Sequence, residues 1–478
     1  MKRLYRIMAM IMTISMLVGC SNQATTTETT KEQVTTTEEN GTETEEASSA
    51  TEQEITTEET TEDTADPIEE VSMDEAIQRA LSHMTIQEKI GQMFIVNIEL
   101  LDPADPASYE YQKITKKMKE TLNNYPVGGV IFFSRNIQTR KQTKTFIQRL
   151  QATSRYPMFI SVDEEGGEIA RVGNNPKMKT TKFPAMAKIG ATGDETKAFE
   201  VGDTIGREIH ELGFNLDFAP VADLSTNKNS PEIGNRAFSD DPEVAAKMVA
   251  QVVKGLQGQN VSATLKHFPG HGSASDDTHK GYANITETIK QLRENEFIPF
   301  QAGIEAGADL IMVSHLAITS VTDSKTPASM SPLIITEILR NELGYQNLVI
   351  TDALNMKAIT KFYTPAKASV TAIQAGADLL LMPENLEEAF DAVYQAILDG
   401  DLDEQRIDES VTRILQTKLK RGVMTLDDSL FQLEQETSTT EEATTETKQE
   451  TQQQQKQQKQ QEKNQTKKKT KQTKTSKK

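Results

Sequence analysis

Eight short apolar runs, rich in β-branched residues, recur along the chain, and longer amphipathic stretches separate them. This alternation constrains the fold more than any other feature. The runs are 91–96, 127–133, 158–162, 215–219, 262–265, 310–313, 348–350 and 379–382. Near-continuous apolarity suits parallel strands buried on both faces. Between the runs the spacing predicts helices, among them 139–154, 195–212, 242–257, 285–306, 331–343 and 386–398. Glycines at 213, 258, 307, 344 and 376 read as helix stops. Gly-Ala-Asp occurs twice, at 307–309 and 376–378, each time leading from a helix into an apolar run. Eight β/α units predict an α/β fold, a (β/α)₈ TIM-type barrel; a doubly wound open sheet is the alternative.

The polar residues fall in a pattern that favours the barrel. Asp163 and Glu164 follow the third run, and Asp217 and Asp223 surround the fourth. Lys266 and His267 follow the fifth, His315 the sixth, Asp352 the seventh, and Pro383-Glu384 the eighth. A (β/α)₈ barrel builds its active site from the loops at the C-terminal ends of its strands.

Several of these residues carry chemistry. Asp352, directly after an apolar strand, is either a nucleophilic carboxylate at the barrel mouth or the N-cap of a helix. Asp277 and His279 stand two apart in a loop. There the carboxylate can accept from one ring nitrogen and leave the other for proton transfer. Three of the six histidines, His267, His271 and His279, lie within thirteen residues. A zinc site is one reading of that cluster, but the Pro-Gly turn between the first two denies them a shared helix face. Asp163, in Asp-Glu-Glu-Gly-Gly, can bind sugar hydroxyls or belong to an acidic turn. Arg236 and Lys266 can donate to a ligand or form ion pairs. No nucleophile elbow, phosphate loop or dinucleotide fingerprint is visible, and no metal or organic cofactor is expected.

Composition divides the chain into four. Residues 1–20 carry Lys2, Arg3 and Arg6, then an apolar run over 7–18, too short to span a membrane well. Leu17-Val18-Gly19-Cys20 resembles a bacterial lipobox. That implies cleavage before Cys20, lipidation of its sulfur and an extracytoplasmic, membrane-anchored protein; a plain signal peptide is the alternative. Cys20 is the only cysteine, so no disulfide forms within one chain. Residues 21–70 hold many Glu and a single Lys, Lys31, a composition that self-repels and cannot bury a core. The globular segment is 71–425. Residues 426–478 form a Gln/Lys-rich tail, with eleven Lys against Glu450 and Glu462 in the last 31. The formal net charge of −19 therefore belongs largely to the linker and says little about the barrel. An exported chain of this kind is not expected to bind nucleic acid.

Five motifs, in order, resemble those of the family 3 glycoside hydrolases of the β-N-acetylhexosaminidase type. They are Asp-Glu-Glu-Gly-Gly at 163–167, Gly-Asn-Arg-Ala-Phe at 234–238, Lys-His-Phe-Pro-Gly-His-Gly at 266–272, Asp-Thr-His at 277–279 and Thr-Asp-Ala-Leu-Asn-Met at 351–356. Glu168 departs from the pattern, standing where an Arg usually follows the paired glycines. The resemblance implies a retaining exo-β-N-acetylglucosaminidase, with Asp352 as nucleophile and His279, oriented by Asp277, as general acid/base. It implies that Asp163, Arg236, Lys266 and His267 bind the terminal sugar. The expected partners are peptidoglycan-derived saccharides and, through Cys20, the membrane; the expected state is a monomer. An acid/base His repels an incoming anion less than a carboxylate does, so phosphate is conceivable as an acceptor beside water. Two other readings compete: a family 3 β-glucosidase or broad exo-glycosidase, and a non-catalytic wall-binding lipoprotein that keeps the barrel.

Overall fold

The computed structural model describes residues 72–103, 110–227, 230, 232–274, 278, 281, 283–322 and 325–426. Cys20, the linker, Asp277, His279 and residues 427–478 lie outside them. All eight apolar runs contain strands. These are β1 Phe94–Asn97, β2 Gly129–Ile131, β3 Phe159–Val162, β4 Leu216–Asp217, β5 Ser262–Phe268, β6 Leu310–Val313, β7 Leu348–Thr351 and β8 Leu380–Leu381. Every residue of these strands is buried. All pair in parallel in the order β7-β6-β5-β4-β3-β2-β1-β8, and a bridge between Ile350 and Leu379 joins the ends into the (β/α)₈ barrel.

Side-chain caps begin the surrounding helices. Thr139, Asp194, Asp241, Asn385 and Asp403 each accept from a backbone N–H in the first turn of the helix that follows. The single helix expected over 285–306 is instead two, Ile289–Glu294 and Phe297–Glu305, after a short strand at Asn284–Ile285. Pro299 explains the break: its ring clashes with the carbonyl four residues back, at Asn295, so no helix continues through both. Thr288 and Gln291 cap the first piece reciprocally.

The Gly-Ala-Asp repeat anchors the C-terminal helix, Glu404–Lys420, at the end of the barrel where the strands begin. Asp309 pairs with Lys420 (2.9 Å) and with Arg421. Asp378 pairs with Arg340, Arg413 (3.1 Å) and Arg406 (3.6 Å). The same helix buries Lys418 inside that end. Its ammonium reaches Gln92 Oε1 (2.7 Å) and sits 5.1 Å from the Phe159 ring centre.

Burial pushes the Lys418 amine down from 10.5 to about 7. Below pH 7 the folded and unfolded chains both carry the charge, and the burial penalty is complete. Between about 7 and 10.5 only the unfolded chain stays protonated, so stability rises with pH. The full rise is bounded at about 5 kcal/mol, from about 1.36 kcal/mol per pH unit, before the Gln92 contact reduces it. Lys418→Met is expected to unfold at higher urea than the parent at pH 6 and to lose much of this rise. Parallel pH profiles for the two proteins would contradict it.

Candidate active site

The C-terminal ends of β3, β5, β7 and β8 surround a cavity of about 310 Å³. That is the lower end of the ~300–1,000 Å³ range of small-molecule sites, suited to a ligand the size of one sugar.

β3 delivers Asp163. The chain then forms a hairpin, Glu164–Gly166 against Ile169–Ala170, that turns Glu165 and Arg171 toward the cavity. The turn requires positive φ at Gly166 (87°) and Gly167 (61°). It also lies against the Ala185 backbone: a Cβ on Gly167 would come within 2.8 Å of Ala185 Cα. β5 delivers Lys266 and His267. Consecutive residues of a regular strand face opposite ways, but the register of β5 against β6 shifts between Lys266 and Phe268. Both side chains consequently line the cavity, joined through a cis peptide. Arg236 arrives from the short 3₁₀ helix Gly234–Arg236.

These groups form one buried ionic cluster. Lys266 Nζ lies 2.6 Å from Glu165 and 2.9 Å from Asp163. Arg236 grips Glu165 with two parallel hydrogen bonds of 2.7 and 2.8 Å. Burial alone would raise the Glu165 carboxyl, but Arg236 and Lys266 outweigh it and hold Glu165 well below the usual carboxylate range. Burial likewise works against the Lys266 ammonium, and Asp163 and Glu165 together raise it. Glu165, Lys266 and Arg236 are therefore charged at neutral pH. Glu165 is 2% exposed and committed to the two cations, whereas Asp163 is 17% exposed and faces the cavity. Asp163 is thus the carboxylate of the two that is open to a ligand in the cavity.

Asp223, fully buried behind the cavity, organises the β5 loop. It accepts from the backbone N–H of His267 (3.1 Å) and of His271 (2.7 Å), and it lies 2.7 Å from His267 Nδ1. Burial would raise this carboxyl; the His267 ring and these donors bring it down. With Nδ1 tied to Asp223, Nε2 is the ring atom left to meet a ligand.

Asp352 follows β7 directly and lines the same cavity. Its backbone N–H donates to Val313 O (2.9 Å), and its Oδ1 accepts from the Ala353 N–H (2.7 Å). It caps no helix, because the next helical turn, Lys357–Thr360, begins only after Met356. His315 supports this turn: its Nε2 lies 3.0 Å from Ala353 O and its Nδ1 2.8 Å from Ser329 Oγ. Burial pushes the His315 ring down, so it is neutral. Nε2–H then donates to the carbonyl and Nδ1 accepts from the hydroxyl.

A profile for the glycosyl hydrolase family 3 N-terminal domain matches residues 85–417. The chain belongs to glycoside hydrolase family 3. It is 31% identical to the Beta-hexosaminidase A of Pseudoalteromonas piscicida over 371 residues, 70% of this chain and 61% of that protein. It is 34% identical to the Beta-hexosaminidase of Stenotrophomonas maltophilia (strain K279a) over 330 residues, 64% of this chain and 96% of that protein. Among solved structures, a family 3 beta-N-acetylglucosaminidase from Paenibacillus sp. str. FPU-7 matches with a TM-score of 0.66 at 33% identity. The match covers 74% of this chain and 68% of that one. The chain thus spans less than two thirds of the first relative and nearly all of the second.

Of the residues singled out in the sequence, Asp163, Arg236, Lys266, His267 and Asp352 meet around this one cavity. Of the Asp-Thr-His element, Thr278 alone is among the described residues. Sequence reasoning missed Glu165 and Arg171 as cavity-lining groups and gave Asp223 no role. Glu165 was hidden inside a run of three acids. Asp223 and His267 are 44 residues apart, too far for local spacing to pair them.

Proposed function

We propose that this family 3 hydrolase is a retaining exo-β-N-acetylglucosaminidase. It would release terminal β-linked GlcNAc from peptidoglycan fragments of the GlcNAc-MurNAc type. The carrying observation is the cavity itself. It is sized for one sugar, has the Asp163–Lys266–Glu165–Arg236 cluster on one wall and carries a strand-end carboxylate, Asp352, on another.

In the first step an Asp352 oxygen attacks the anomeric carbon. The bond to the leaving oxygen breaks, and His279 donates its proton to that oxygen. In the second step His279 takes a proton from water, the water oxygen attacks the same carbon, and Asp352 leaves. Both steps pass through an oxocarbenium-like state at that carbon, which a nearby carboxylate stabilises. Asp277 fixes the ring of His279. Asp163, Arg236, Lys266 and His267 hold the sugar hydroxyls in place, so that its anomeric carbon meets Asp352. The resemblance of Leu17–Cys20 to a lipobox supports an anchored, extracytoplasmic location, where wall fragments arise; a Cys20→Ala chain that still fractionates with membranes would argue against it.

The test compares 4-nitrophenyl β-GlcNAc, 4-nitrophenyl β-glucoside and a GlcNAc-anhydroMurNAc disaccharide as substrates of the full chain. Preferential release of GlcNAc from the first and third is expected. Preference for the glucoside would replace this reading with a β-glucosidase, and no turnover of any would favour a wall-binding protein.

A further inference from the structure

Between Lys113 and Arg155 the chain carries ten Lys and Arg against one acid, Glu120, in a protein whose net charge is −19. Most of this stretch forms the helices that precede and follow β2, Lys116–Asn124 and Arg140–Gln151. Four of the ten pair with carboxylates: Lys116 with Glu120, Arg135 with Glu99, Arg140 with Glu211 and Arg155 with Glu88. The other six are Lys113, Lys117, Lys119, Lys141, Lys144 and Arg149. All six are exposed, and none pairs with a carboxylate among the described residues.

Three of the six, Lys113, Lys141 and Arg149, line one surface groove of about 310 Å³. Gln142 fixes its shape. The side-chain amide donates to the carbonyls of Gln112 (2.8 Å) and Asn136 (3.1 Å) and accepts from the Gln138 N–H (2.9 Å). These bonds tie the segment before the first helix to the start of the second. Lys141, Thr145 and Arg149 stand four residues apart, so they follow one face of the second helix over about 12 Å. That spacing suits successive anionic groups of an extended chain. The helix begins seven residues after Phe133, which lines the sugar cavity. The groove therefore starts at the cavity's end of the barrel, yet it shares no lining residue with the cavity.

We propose that this groove binds a linear polyanion of phosphodiester-linked polyols, and so holds the protein on such a polymer while the sugar cavity stays open. Lysine meets phosphate as a point charge and arginine as a planar fork. A chain of net charge −19 repels polyanions at long range, so binding requires a local cluster of unpaired cations such as this one. Two other phosphate-bearing partners fit less well. A face that lies on a bilayer buries large apolar side chains in it. None of the exposed large apolar side chains among the described residues falls between 113 and 155. Single-stranded nucleic acid stacks its bases on aromatic rings, and Phe146, the aromatic residue lining the groove, is buried.

The test measures binding of the full chain to fluorescently labelled poly(glycerol phosphate) at about 50 and about 200 mM salt. The double variant Lys141→Glu/Arg149→Glu is compared with a control of equal charge change, Lys247→Glu/Lys254→Glu, at exposed positions of the helix Pro242–Gly258. The parent is expected to bind, and to bind more weakly as salt rises. The groove variant should lose at least about tenfold in affinity and the control about twofold or less. Hydrolysis of 4-nitrophenyl β-GlcNAc should be equal in all three, because none of these side chains lines the cavity. The readout is binding, so it stands apart from the glycosidase reading. No binding at the lower salt, or equal losses in the two variants, would overturn the proposal. Tighter binding to phosphatidylglycerol vesicles or to a single-stranded oligonucleotide, with the same dependence on Lys141 and Arg149, would also overturn it, by assigning the groove to a lipid surface or to nucleic acid.

Discussion

Asp352→Asn is expected to lower kcat on an aryl β-GlcNAc by about 10⁴-fold or more, with the fold unchanged. The magnitude follows from what the carboxylate does in the proposed cycle. It forms the bond to the anomeric carbon, and its negative charge faces the oxocarbenium-like centre in both steps. Removing a group that acts as nucleophile leaves only binding and the remaining groups, and losses of about 10⁴–10⁶ are typical of such changes. Asparagine keeps the volume and can still accept from the Ala353 N–H, a bond of 2.7 Å in the parent. Thermal unfolding should therefore stay within a degree or two of the parent. Activity within about tenfold of the parent would remove Asp352 from the nucleophile role.

Asp378→Ala is expected to give the largest loss of stability. This carboxylate is fully buried and pairs with three arginines, Arg340, Arg406 and Arg413. It also accepts from the Val349 N–H (2.9 Å) and the Ser410 hydroxyl (2.8 Å). Burial would raise its pKa, and the arginines hold it below 3.8. A folded-state pKa that is lowered contributes stability above pH 3.8, lost as pH falls through the folded value. Alanine leaves the arginines without their common counter-charge, and breaking such a buried pair costs about 3–5 kcal/mol. For a domain of this size that corresponds to a Tm drop on the order of 5–10 °C. Asp378 lies at the end of the barrel opposite the cavity, so kcat at 20 °C should stay within about twofold. Unchanged stability would show that the C-terminal helix is held by its apolar face alone.

Much of this architecture was legible because the barrel buries its strands on both sides. Each run therefore had to be apolar throughout, and each polar residue at a strand end stood out. Asp352, Lys266 and His267 were found that way. The repeated Gly-Ala-Asp was visible too, but not its purpose: the partners of Asp309 lie more than 100 residues away on the C-terminal helix. Lys418 gave no signal, since a lysine on an amphipathic helix ordinarily faces water. The two-part helix over 289–305 was readable in principle, because Pro299 cannot follow Asn295 within one helix. In the site, local spacing located the carboxylates but not their division of labour. Whether an acid in Asp-Glu-Glu-Gly-Gly binds ligand or pairs with Arg236 depends on which way a hairpin turns, and tertiary packing decides that.

The most direct test of the central claim is to incubate the protein with a 5-fluoro β-GlcNAc donor carrying an activated leaving group, digest it and weigh the peptides. A retaining cycle through Asp352 is expected to leave one fluoro-sugar on the peptide that contains Asp352, and none in Asp352→Asn. A sugar attached to a different carboxylate, or release of the α-configured product with no adduct at any time, would contradict it.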